Sequence, residues 1–149
     1  MKATELKIGN FLIELGNTPD PLKRIFRITA IYGRDKERFV VEDDNGDMMS
    51  AGFLQPIPLT KEWILKSGFM KANRTDIFPE SFIMENVMMS RLYLRPSYKG
   101  GYYWGFLTQG INDKYETEHE FYDIEQILYV HQLQNLYWCL CGEELKISE

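Results

Sequence analysis

The sequence is poor in the residues and motifs that announce chemistry. It has two cysteines and two histidines in 149 residues. Cys139 and Cys141 are two apart inside a helical pattern, where side chains about 200° apart on the helix cannot bring their sulfurs together. They form neither a Cys-x-x-Cys pair nor a disulfide framework, so reduced, packed thiols are expected. There is no apolar run of about 18 residues to span a bilayer, and the opening Met1–Lys7 lacks the apolar stretch of a secretory signal. No Gly-x-Ser-x-Gly occurs, and Gly100-Gly101 is not followed by the Gly-Lys-Ser/Thr of a phosphate loop. His131 and Cys139 are separated by about 12 Å of helical rise, too far to act as a base–nucleophile pair. These absences predict no catalytic residue, no metal-ligand set and no cofactor, and the chain reads as a non-enzyme.

What is present describes an ordinary folded protein. At 44% hydrophobic residues and a net charge of −5 the chain is too apolar and too weakly charged for disorder. A chain of this length buries about 68–70% of its unfolded surface, enough for one core or two small ones. A soluble, cytoplasmic protein is the expectation. Its charge is uneven. Residues 23–38 carry Lys23, Arg24, Arg27, Arg34, Lys36 and Arg38 against Asp35 and Glu37. Residues 113–125 carry Asp113, Glu116, Glu118, Glu120, Asp123 and Glu125 against Lys114. On a strand, Glu116, Glu118 and Glu120 beside His119 would share one face and could gather a cation, but such a row more often simply faces water.

Along the chain, Gln55-Pro56-Ile57-Pro58 is the best internal boundary, because its prolines remove backbone donors. Before it, residues 10–15, 24–32, 39–42 and 48–53 read as strands. Asp44-Asn45-Gly46-Asp47 supplies a hairpin turn. Short strands in so few residues must curl to hide one face, and a small SH3-like β-barrel over residues 1–58 is the economical solution. After the boundary, Thr60 N-caps a helix over 61–67, with Leu59 and Ile64 placed as a staple and Gly68 as its stop. Strands follow at about 81–84, 90–95 and 102–109. A closing helix runs from Tyr129 to Cys141, or from Ile124 if Asp123 and Gln126 form a capping box. The fold class is therefore α+β, with residues 59–149 forming a small antiparallel sheet that carries a packed C-terminal helix.

The closing helix is the most informative element. Tyr129, Val130, Leu133, Leu136, Tyr137 and Leu140 form its core stripe, and His131, Gln134, Asn135 and Trp138 fall opposite. From Gln126 to Gly142 there is no Asp, Glu, Lys or Arg. Amides, an imidazole and an indole suit a second covering surface, since amides find hydrogen bonds there without stranding a charge. That surface is either the N-terminal barrel of the same chain or another protein. His131, Gln134, Asn135 and Trp138 are the protein-contact candidates in the second case.

Three segments resemble a family of small proteins from gut bacteria and their phages and prophages, one without an assigned activity. They are Glu5-Leu6-Lys7-Ile8-Gly9-Asn10 near the start, Pro56-Ile57-Pro58-Leu59-Thr60-Lys61-Glu62-Trp63 in the middle, and Tyr129-Val130-His131-Gln132-Leu133-Gln134-Asn135-Leu136-Tyr137 followed by Gly142-Glu143-Glu144-Leu145. The family more often has Phe, Ala and Thr at Trp138, Cys139 and Cys141, which puts a cysteine role in doubt. The resemblance implies mobile-element ancestry and transfers no catalytic residue.

Two functions from different classes follow. The leading expectation is a non-enzymatic protein-binding module, acting on a protein partner or by self-association. The alternative is a nucleic-acid-binding accessory protein. It would use Lys23, Arg24 and Arg27 with Arg91 and Arg95, the last two beside Tyr93, Tyr98, Tyr102, Tyr103 and Trp104. Net acidity disfavours a polyanionic partner, and cross-strand aromatic packing explains the same hairpin pattern.

Overall fold

The computed structural model describes residues 2–15, 24–33, 38–72, 80–87, 90–111 and 117–148. It is a mixed α+β structure of two five-stranded antiparallel sheets and a C-terminal helix. The chain divides into two compact units. The first comprises Met1–Pro58 with Tyr129–Trp138, and the second Leu59–Leu128 with Cys139–Glu149.

In the first unit, strands β1 (Phe11–Glu14), β2 (Arg24–Gly33), β3 (Phe39–Asp43), β4 (Met48–Ser50) and β5 (Leu54–Pro56) lie in the order β4-β3-β2-β1-β5. One face holds the core: Leu12, Phe26, Ile28, Phe39, Val41, Met49 and Leu54, with Ala3, Leu6, Ile31 and Ala51 packed against it. The regular alternation of a strand breaks in β2 at a bulge between Ile28 and Ala30. There Thr29 donates its hydroxyl to the carbonyls of Glu42 (3.1 Å) and Asp43 (2.9 Å). The extra residue shifts the phase, so Phe26, Ile28 and then Ile31 face the core while Tyr32 is exposed. The Asp-Asn-Gly turn forms as expected. Asp43 Oδ1 accepts from the amides of Asn45 and Asp47, each at 2.9 Å, and Gly46 takes φ 82°.

Among the described residues the expected barrel is not closed by strand pairing. β4 and β5 stand at opposite edges of the sheet, separated along the chain by a single 3-10 turn, Ala51–Phe53. Gln55-Pro56 belongs to β5, which pairs with β1 in the register Leu12↔Pro56. Proline is tolerated there because an edge strand has one side without a ladder to supply.

In the second unit, Thr60 caps α1 (Lys61–Lys66), accepting from the Trp63 amide at 3.5 Å, and Gly68 ends the turn at φ 85°. Leu59 and Ile64 are both buried. Strands β6 (Met70–Lys71), β7 (Phe82–Val87), β8 (Ser90–Pro96), β9 (Tyr102–Ile111) and β10 (Thr117–Ile127) form an antiparallel meander in chain order. Leu92, Tyr93 and Leu94 of β8 are each fully buried, so the centre of this sheet is covered on both faces.

Helix α2 spans Val130–Cys141 and ends at Gly142, φ 70°. The earlier start at Ile124 is not adopted, because Glu125, Gln126 and Ile127 pair with Trp104, Tyr103 and Tyr102 of β9. Gln126 caps nothing. Its amide nitrogen instead donates to Ser97 Oγ at 3.1 Å and to the Gly100 carbonyl, tying down the β8–β9 turn. The helix residues 129–138 also belong with the N-terminal sheet rather than with the second one. Among the described residues no helix is long and apolar enough to cross a membrane.

Candidate functional site

The first turn of α2 is fastened to the segment that follows β5. Tyr129 bridges Pro58, the Val130 amide donates to the Ile57 carbonyl at 2.9 Å, and Gln132 Oε1 accepts from the Tyr129 amide at 3.1 Å. The last of these is the reach-back half of a capping box, with Tyr129 in the capping position. Val130 and Leu133 are buried as expected, but so are His131 and Gln134 from the supposed outer side. Two buried apolar positions thus sit beside two buried polar ones.

Gln134 acts as a two-pronged clip. Its Oε1 accepts from the Phe11 amide at 3.0 Å, and its Nε2 donates to the Gly9 carbonyl at 2.9 Å. On the next residue, Asn135 Nδ2 donates to the Glu5 carbonyl at 2.9 Å, and its Oδ1 accepts from Asn10 Nδ2 at 2.9 Å. Asn10 is itself buried and accepts from the Lys7 amide at 2.8 Å, closing the turn between Ala3–Glu5 and β1. An irregular segment entering a strand has backbone groups that no ladder satisfies, and a helix flank of amides offers both donors and acceptors to match them. Ionised side chains in these places would carry a desolvation penalty that amides avoid.

His131 is 97% buried, being 3% exposed, and its ring stacks on Tyr129 with centroids 5.7 Å apart and planes 8° from parallel. Among the described residues its Nδ1 has no hydrogen-bond partner. Burial holds the imidazole below its ordinary pKa, with the Glu5 carboxylate opposing that shift. The fourth member of the flank differs from the others. Trp138 is 43% exposed, and the Lys7 ammonium lies 4.2 Å from its ring centroid. Beside Lys7 in sequence, Ile8 is 54% exposed.

The basic candidates are engaged by groups of their own chain. Arg24 forms ion pairs with Asp43, with Asp47 at 2.9 Å and with Glu14 at 3.8 Å. Arg91 pairs with Glu85 at 2.8 Å, and the Arg95 guanidinium lies 4.8 Å from the Tyr103 ring centroid. Arg27 is half-buried in β2 opposite Phe11. Lys23, Arg34 and Lys36 lie outside the described residues. Arg91, Tyr93 and Arg95 alternate along β8, but Tyr93 between them is fully buried and packs with Ile83 and Ala72. The rings of Phe82 and Tyr102, and of Trp104 and Phe106, meet edge-on at 6.0 Å. Tyr98, by contrast, is almost wholly exposed.

Glu118, His119 and Glu120 lie in β10, whereas Glu116 is outside the described residues. Among the described residues no three metal-ligating side chains come together. Cys139 is exposed rather than packed and Cys141 is partly buried. Asn10 was not among the residues expected from the sequence to make contacts; its signal there is an isolated amide between Gly9 and an apolar strand. No family model, curated protein or solved structure matches the chain.

Proposed function

We propose that this protein is a non-enzymatic binding module that acts through contact with another protein. The observation that carries the reading is the indole of Trp138, held half-exposed at the end of a flank whose preceding turn is tied to the N-terminal segment. A large aromatic ring at a rigid site contributes contact area with little ordering entropy, and Trp is the residue most enriched at binding hot spots. Lys7 over the ring adds a cation to the same spot. Gln134, Asn135 and His131 then act as the foundation of that spot rather than as its contact surface.

The strand order of the first unit, with a 3-10 turn between the fourth and fifth strands, supports reading it as an open SH3-like sheet. The resemblance to phage and prophage proteins supports a partner on the host or phage side. In a capture experiment Trp138→Ala is expected to lose the partner while remaining folded, and light scattering on the same samples separates a foreign partner from a second copy. Retained capture by folded Trp138→Ala protein rejects the site. Salt-sensitive binding of single-stranded DNA, weakened by Arg91→Ala or Arg95→Ala, would favour the nucleic-acid reading instead.

A further inference from the structure

A separate surface lies in the second unit. Strand β10, with 11 residues, is at one edge of its sheet, and among the described residues it pairs with β9 alone. The β8–β9 ladder stops at Arg91↔Leu107, whereas the β9–β10 ladder continues to Ile111↔Thr117. Among the described residues Thr108–Ile111 and Thr117–Glu120 are therefore a two-stranded ribbon, about 13 Å long at the usual rise per strand residue. Two strands without a third are marginally stable in water, and among the described residues no strand lies against the outer side of β10.

The charge of β10 selects among occupants. Thr117–Ile127 contains Glu118, Glu120, Asp123 and Glu125 and no Lys or Arg. Antiparallel pairing of two β10 strands would set the four carboxylates of one copy beside those of the other, which opposes self-association. An incoming strand with Lys or Arg at alternate positions meets opposite charges and supplies the third strand that the ribbon lacks. We propose that β10 is a docking edge for an extended basic segment of another polypeptide, which joins the second sheet as a sixth strand. This rests on backbone pairing and charge, and is independent of Trp138.

The test uses the full chain and a capped ten-residue peptide of alternating Lys and Val. Hydrogen exchange read by mass spectrometry is expected to slow within Thr117–Ile127 when the peptide is added. N-methylation of alternate peptide amides, which removes the pairing donors, is expected to weaken binding by about tenfold or more. The variant carrying Glu118→Lys and Glu120→Lys should weaken it comparably, and its far-ultraviolet spectrum checks that it folds. Equal binding of the N-methylated peptide would mean attraction to acidic charge only and would overturn the proposal. So would undiminished binding to the double variant, or a doubled sedimentation mass with β10 already protected before peptide is added.

Discussion

Replacing Gln134 with alanine removes both prongs of the clip between α2 and the start of β1. The change leaves the Phe11 amide and the Gly9 carbonyl without the partners they have at 3.0 and 2.9 Å. Each buried backbone group stripped of its partner costs about 1–3 kcal/mol. Some water reaches the site once the side chain is gone, so the combined loss is about 2–4 kcal/mol. Asn135→Ala provides the internal comparison. Its two bonds, to Asn10 and to the Glu5 carbonyl, are at partly exposed positions, and about 1 kcal/mol is expected there. Urea unfolding of both variants, with the exchange rate of the Phe11 amide as a local reporter, separates loss of the clip from general weakening. Gln134→Glu is expected to be as harmful as alanine, since a carboxylate accepts from Phe11 but cannot donate to Gly9. A Gln134→Ala loss below about 0.5 kcal/mol, with Phe11 exchange unchanged, would refute the claim that this amide holds the helix.

Further outcomes follow from other sites. His131 is held below its ordinary pKa by burial, so the native state binds fewer protons than the unfolded chain. Its contribution is complete above the unfolded value of about 6.5 and falls away as pH drops below that, and His131→Phe should flatten this part of the stability–pH curve. Gly101 sits at φ 68°, and a Cβ there would collide with the Ile127 carbonyl and the Leu128 side chain, whereas one on Gly46 at φ 82° meets nothing within 4 Å. Gly46→Ala should therefore cost only about 1–2 kcal/mol of backbone strain and Gly101→Ala clearly more, as read by thermal melting. Arg24→Met removes the cation facing the buried Asp43 carboxylate. A loss of about 3 kcal/mol is expected in urea, recovered in part by adding Asp43→Asn. Trp138→Ala should change stability by only about 0.5–1 kcal/mol, the size of an exposed cation–π contact, which keeps the binding test interpretable.

Much of the fold could be read from residue patterns, and the exceptions have identifiable causes. The Asp-Asn-Gly-Asp turn, the Thr60 cap and the Gly68 and Gly142 stops are encoded within a few residues, so local chemistry was sufficient to place them. Strand β10 was harder, because its acidic side chains hide its extended backbone, and what makes it a strand is pairing with the distant Tyr102–Ile111. The same pairing overrode the Asp123/Gln126 capping pattern. The bulge at Thr29 was invisible for a related reason: it depends on the Glu42 and Asp43 carbonyls across the sheet. The uncharged flank of α2 is covered at His131 and Gln134 and exposed at Trp138. What covers it is mostly main chain, namely Glu5, Gly9 and Phe11, and backbone groups leave no mark in a pattern of side chains.

The assignment of Tyr129–Trp138 to the N-terminal unit has a bearing on synthesis. A ribosome completes β1–β5 and then all of Leu59–Leu128 before it makes the helix that satisfies Gly9 and Phe11. At ordinary elongation rates that delay is about 4–14 s. Until then the nascent N-terminal sheet has an unsealed entrance strand, and a stalled or prematurely terminated product retains that defect permanently. Quality control could recognise such fragments by this raw seam alone, without the second unit having misfolded at all.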